Sequence, residues 1–146
     1  TRKESSAASD VYKRQIQNKT VIFDAGHNPH GVAFLLNQLR NFLKYNKQYT
    51  EVVSVFSMLA DKDVKSVTEL LKDSIQMWKI AALTVPRAAP IEQLDQALQG
   101  QHVQHFDSVK LAFKSALDET KNNQLILVCG SFHTLEAVWE YLEECQ

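Results

Sequence analysis

From residue 18 onward, short apolar runs of strand length alternate five times with longer stretches whose apolar residues recur every three or four positions. That alternation is the signature of successive β-α units, and it restricts the chain to an α/β fold with a mostly parallel sheet. The expected strands are 20–25, 52–57, 78–85, 103–106 and 125–129. Most are rich in β-branched and aliphatic residues, as strands covered on both faces must be. Between them, Val32, Leu35, Leu36, Leu39, Phe42 and Leu43 form the apolar stripe of a first helix. Val64, Val67, Leu70 and Leu71 do so for a second, and Ile91, Leu94 and Leu98 for a third. Val109, Ala112, Phe113, Ala116 and Leu117 mark a fourth, and Leu135, Val138, Trp139 and Leu142 a fifth. Each stripe buries against the sheet, which predicts a Rossmann-like sheet of about five strands with helices on both faces. The punctuation agrees: Asp63 and either Asp107 or Ser108 suit N-caps, Pro90 suits a first helical turn, and Gly100 ends the third helix.

A chain of 146 residues that is 45% hydrophobic fits one domain, able to bury roughly 68–70% of its unfolded surface. The formal charge of −1, from 16 basic and 17 acidic residues spread along the chain, gives no footprint for nucleic acid or an anionic membrane. Cys129 and Cys145 lie far from any CxxC spacing, so reduced thiols in a cytoplasmic protein are expected. No apolar run reaches the ~20 residues that span a bilayer, and no signal-peptide core is present. A monomer is expected.

The first fifteen residues, TRKESSAASDVYKRQ, are polar, carry no period and offer only isolated apolar side chains. They read as a non-native or disordered leader, similar to a translated adapter, ahead of a domain over 16–146. Upstream sequence continuing natively into residues 1–15 would refute that reading.

In an open α/β sheet, ligands bind at the carboxyl ends of the strands. Three loops there stand out: DAGHNPH after the first strand, MLADKD after the second and GSFHT after the fifth. In the first, Asn28 can cap the helix and Pro29 takes its first position. Asp24 ends a buried strand, where an ionised carboxylate needs donors or a cation, either from the loop backbone or from a ligand. His27 and His30 are compatible with surface or capping roles. Their HxxH spacing straddles a strand-to-helix corner without a third ligand nearby, so no metal site is assigned. Gly130-Ser131 opens the last helix, whose N-terminal N–H groups and dipole favour a carboxylate or phosphate beside the Ser131 hydroxyl. CGSFH is not the G-x-S-x-G of a serine nucleophile, and His133 is expected to face outward. Asp61-Lys62-Asp63 reads as a solvated turn and N-cap.

With these loops in view, residues 18–146 resemble the C-terminal domain of the Mur ligase superfamily, and within it the branch of bacterial bifunctional dihydrofolate synthase/folylpolyglutamate synthases. DAGHNPHG is similar to that family's aspartate-x-alanine-histidine-asparagine-proline signature, with Gly26 where alanine is usual. SMLADKD, VPRAAPIEQL and VCGSFHT resemble its second loop, third connection and closing loop. The resemblance implies an ATP-dependent ligase that phosphorylates the carboxylate of dihydropteroate or a folyl glutamate, then lets the amine of L-glutamate attack the acyl phosphate. It places Asp24 against ATP, and His27 and Ser131 at the incoming glutamate, with His27 also the candidate catalytic group.

The implied partners are L-glutamate, dihydropteroate or tetrahydrofolate, and an N-terminal ligase domain that carries the Mg2+ ligands and the phosphate loop. No G-x-x-x-x-G-K-[ST] run occurs in this sequence, so the fragment alone is expected to be inactive. Two alternatives remain at this point: a muramoyl-nucleotide amino acid ligase domain, and a non-catalytic α/β binding module. A Rossmann dehydrogenase is disfavoured because no G-x-G-x-x-G follows the first strand.

Overall fold

The computed structural model describes residues 12–145. Six strands form one sheet, in the spatial order β1-β2-β6-β3-β4-β5. They are β1 (Tyr12–Ile16), β2 (Lys19–Asp24), β3 (Glu51–Phe56), β4 (Met77–Ile80), β5 (Val103–His105) and β6 (Gln124–Cys129). All neighbours run parallel except β1, which pairs antiparallel with β2. The helices are α1 (Pro29–Tyr45), α2 (Val64–Leu71), α3 (Ile91–Ala97), α4 (Val109–Glu119) and α5 (Phe132–Glu144).

Two apolar layers sandwich the sheet, and the two-residue period of the strands sorts side chains between them. Ile22, Val52, Phe56, Leu125 and Leu127 join the layer built with α1, α2 and α3. Their neighbours Val21, Phe23, Val55, Ile126 and Val128 join the layer built with α4 and α5. Trp78 is fully buried and meets Phe56 edge-on at 5.1 Å between centroids. Large side chains buried this completely contribute roughly 1.5–3 kcal/mol each. No helix among the described residues is long and apolar enough to cross a membrane.

The leader expectation is corrected in part. Tyr12 to Gln15, assigned above to a segment outside the fold, belong to β1, while residues 1–11 lie outside the described residues. A two-residue turn with positive φ at Gln17 (52°) and Asn18 (65°) closes the hairpin, the geometry whose twist suits adjoining antiparallel strands. Only Ile16 of β1 is buried. An edge strand with one wet face needs little apolar sequence, so it left no periodic signal. The sheet therefore has six strands.

The third expected strand, 78–85, leaves the sheet after Ile80, because its outer neighbour β5 offers only three residues to pair with. Residues 81–85 continue as irregular chain, with Ala81 and Leu83 still buried. The caps follow expectation at Asn28, Asp63 and Ser108, each accepting a backbone N–H three residues on. Pro90 stands one residue ahead of α3, and Gly100 (φ 84°) lies in the turn after it.

Candidate functional site

The strand order gathers the chemistry-bearing loops. Strand β6 sends its helix, α5, to one face, whereas its neighbours β2 and β3 send α1 and α2 to the other. Helices diverging on either side of a strand leave a crevice at its carboxyl end, where α/β domains bind ligands. Asp24 and Cys129 sit opposite each other in the β2–β6 register, and Phe56 opposes Cys129 across β3–β6. The loops that follow Asp24, Phe56 and Cys129 thus emerge side by side.

Between them lies a cavity of about 200 Å³ lined by His27, Leu59, Lys62, Arg87, Gly130, Ser131, Phe132 and His133. Four loops meet there, because the connection after β4 reaches back to the one after β3. Ala60 N–H donates to Arg87 O at 2.7 Å, Ala89 N–H to Met58 O at 2.9 Å, and Leu59 forms a bridge with Ala88. The Arg87 guanidinium holds the Asp61 carboxylate at 2.6 Å (Nη1 to Oδ2).

Ser131 caps α5: it is 4% exposed and its Oγ accepts the His133 N–H at 3.1 Å. Its hydroxyl proton is still available to donate. The expected donor is therefore also the helix cap. Gly130, at φ 111°, lets the backbone pass close to β3; a Cβ there would stand 2.1 Å from Ser57 O. The same carbonyl accepts from the buried Thr134 hydroxyl at 2.9 Å. The start of α5 is thereby held against the Ser57 carbonyl, one residue beyond β3.

His27 is exposed, with Nδ1 3.3 Å from Ala25 O. In the tautomer that donates there, Nε2 is the proton-accepting nitrogen. Asp24 does not line the cavity: it is 3% exposed, and its Oδ2 accepts the Gly26 N–H at 2.9 Å. Gly26 permits this back-turned carboxylate, since a Cβ at residue 26 would stand 2.7 Å from that oxygen. His133 pairs with Glu136 on the outer face of α5 (Nδ1 to Oε1, 3.1 Å), yet its side chain also borders the cavity. Cys129, two residues before Ser131 at the end of β6, is buried. Burial, with the nearby Asp24 charge adding to it against a hydrogen bond from Ser54, pushes its thiol up to about 12. The buried thiol is therefore held in its neutral form beside the Asp24 carboxylate.

The structure thus brings His27 and Ser131 into one cavity and leaves Asp24 behind it. Lys62 and Arg87 join the cavity although neither was singled out as a site residue above. The charged DKD turn and the PRA run were visible, but only the pairing of their two loops shows that they face the same space. Asp63 is an N-cap as expected. The lining holds Lys62, Arg87, two imidazoles and a serine hydroxyl, while the carboxylates of Asp61 and Glu136 sit against Arg87 and His133 outside it; the donors that remain suit a small anion. Among the described residues, no three His, Cys, Asp or Glu side chains gather into a metal set.

A mostly parallel sheet covered on both faces, with a polar cavity at its switch point, defines the α/β class of domain in which ligands bind at the carboxyl ends of the strands. The chain belongs to the Mur ligase, glutamate ligase domain family, which matches residues 10–132. It is 36% identical over 127 residues to the dihydrofolate synthase/folylpolyglutamate synthase of Escherichia coli (strain K12), covering 87% of this chain and 29% of that protein. The Haemophilus influenzae protein of the same name is 33% identical over 132 residues, covering 85% and 29%.

Among solved structures, E. coli FolC in complex with DHPP and ADP superposes with a TM-score of 0.78 at 36% identity, over 86% of this chain and 29% of that one. A bifunctional folylpolyglutamate synthase/dihydrofolate synthase with Mn, AMPPNP and L-glutamate bound gives 0.77 at 30% identity, over 92% and 30%. The chain spans less than a third of the length of these relatives.

Proposed function

We propose that the chain is the amino-acid-presenting domain of an ATP-dependent folate ligase, which adds L-glutamate to dihydropteroate or to a folyl glutamate. The observation that carries this reading is the cavity of about 200 Å³ shared by His27 and Ser131. Its volume falls below the ~300–1,000 Å³ of sites that enclose drug-sized ligands. It fits a single amino acid better than a pterin or a nucleotide.

In the proposed reaction, ATP phosphorylates the acceptor carboxylate on a partner domain. The glutamate amine then attacks the acyl carbon, its proton leaves, and phosphate departs as the amide forms. This domain's part is to hold the amine in line. Orientation of two reactants is worth ~7–11 kcal/mol, whereas one general base supplies a factor of 10²–10⁴, roughly 3–5 kcal/mol. Positioning dominates.

Ser131 and the α5 N-terminus hold a glutamate carboxylate, and His27 Nε2 binds the amino group or takes its proton. Asp24, buried behind the first loop, orients that loop and meets ATP where the nucleotide domain closes on the rim. The divalent cation, which neutralises phosphate charge when bound, finds no ligand set among the residues described here; no step is assigned to it on this chain. The relatives carry folate-ligase names, and nothing in this site favours the muramoyl alternative.

In the complete protein, His27→Ala should raise KM for L-glutamate at least tenfold or lower kcat by 10²–10⁴, read from glutamate-dependent ADP release. Unchanged glutamate kinetics would remove His27 from the site. Residues 1–146 alone should show no turnover in the same assay.

A further inference from the structure

Arg87 borders the cavity without a part in the proposed chemistry. Its main chain is clamped: the carbonyl accepts the Ala60 N–H at 2.7 Å, and flanking Ala88 bridges Leu59. Its side chain is 63% exposed, touches Asp61 through Nη1 at 2.6 Å, and borders the cavity shared by His27 and Ser131. A guanidinium carries five N–H donors in a planar fork matched to carboxylates, so a single contact with Asp61 does not saturate it.

The order of the strands fixes the order of these groups along the rim. His27 follows β2, Ser131 follows β6, Lys62 follows β3 and Arg87 follows β4, and the sheet runs β2-β6-β3-β4. An amino acid with its reacting amine at His27 has its α-carboxylate one carbon away, beside Ser131 and the start of α5. Its side chain then extends toward β3 and β4. A negative group at that far end meets Lys62 and Arg87, the latter with the Asp61 carboxylate already on its Nη1.

We infer that Arg87 determines specificity: held in place by Asp61, its guanidinium reads the distal carboxylate of the amino acid and selects L-glutamate over neutral analogues. This rests on the ligase reading above and adds the group that recognises the side chain. Arg87 is exposed and keeps Asp61 on Nη1, so the discrimination comes from its remaining N–H donors, which a carboxylate accepts as charge-assisted bonds and a neutral side chain does not.

The test compares the full-length two-domain protein with its Arg87→Met and Arg87→Lys variants, using L-glutamate and isosteric L-glutamine in ADP-release kinetics. In Arg87→Met, the preference in kcat/KM for glutamate over glutamine should fall at least tenfold, through KM for glutamate, with KM for ATP within twofold. Arg87→Lys keeps the charge without the fork and should retain an intermediate preference. If Arg87→Met does not fold, the lysine variant decides. A glutamate-to-glutamine preference unchanged in whichever variant folds would overturn the assignment while leaving the ligase reading intact. A wild-type full-length protein without glutamate-dependent ADP release would overturn both.

Discussion

The two corners flanking the cavity are built in opposite ways. After β2, the loop of Gly26, His27 and Asn28 is half-buried to exposed, and two backbone N–H groups meet side chains there: Gly26 on Asp24 at 2.9 Å and Gly31 on Asn28 at 2.8 Å. After β6, Gly130 and Ser131 are buried, and the backbone lies against Ser57 O with no room for a Cβ. Both corners start a helix with a side-chain cap, Asn28 for α1 and Ser131 for α5. The difference is what a Cβ would strike first: the end of the Asp24 side chain at 2.7 Å and then the Gly31 backbone at 3.3 Å for Gly26, but the Ser57 carbonyl at 2.1 Å for Gly130. One corner is packed against the chain leaving β3, and the other is held by side-chain hydrogen bonds at the surface. That division suits a site in which one carboxylate is anchored at the packed corner.

The comparison breaks most sharply at the glycines. Gly130→Ala should destabilise the fold by roughly 3 kcal/mol or more, since it combines a positive φ with backbone overlap. Denaturant unfolding that shifts by less than half of this would mean that β3 and α5 separate easily.

The buried thiol should also carry a pH signature. The Cys129 thiol has an ordinary value of 9.0 and is held near 12 when folded. Between those pH values the unfolded chain has lost a proton that the native chain keeps, so stability falls as pH rises from 9 toward 12 and is unaffected by this group below 9. Unfolding measured across that window should decline by one proton's slope less in Cys129→Ala. Equal slopes would show that water reaches the thiol.

Next come the caps. Asn28→Ala and Ser131→Ala should each cost about 1 kcal/mol of stability, but in the complete protein only Ser131→Ala is expected to raise KM for L-glutamate as well. Equal effects on KM would erase the functional distinction between the two corners. Smaller than Gly130→Ala is Gly26→Ala, which asks the Asp24 carboxylate and the Gly31 backbone to give by a fraction of an ångström; about 1 kcal/mol should be lost. A penalty matching Gly130→Ala would mean that the two corners are packed alike.

The β-α alternation and the cap residues were legible because they are local. Period, helix capping and strand composition act over a few residues, and Asn28, Asp63 and Ser108 cap helices as their sequence positions imply. His27 and Ser131 could be nominated because strand ends in such sheets carry ligands. The hairpin strand β1 was missed because an edge strand buries almost nothing; the Gln17-Asn18 turn between Ile16 and Thr20 was the signal available.

Lys79 shows the same limit from inside the fold. A lysine in a strand is expected to reach water, yet this one is 3% exposed, donating to Gln104 at 2.6 Å, Ser115 at 3.0 Å and Glu119 at 3.2 Å. Its three partners lie 25 to 40 positions away.

What the amino-acid order determined alone was the set of units: five β-α repeats, where their helices begin, and which loops could carry polar chemistry. Tertiary structure decided which of those loops share a space. Strand order places β6 between β2 and β3, and that insertion brings His27, Ser131, Lys62 and Arg87 to one cavity while Asp24 stays buried behind it. The reason is physical: periodicity arises from neighbours along the chain, whereas a binding site arises from strands paired across more than a hundred residues, and no local preference encodes that pairing.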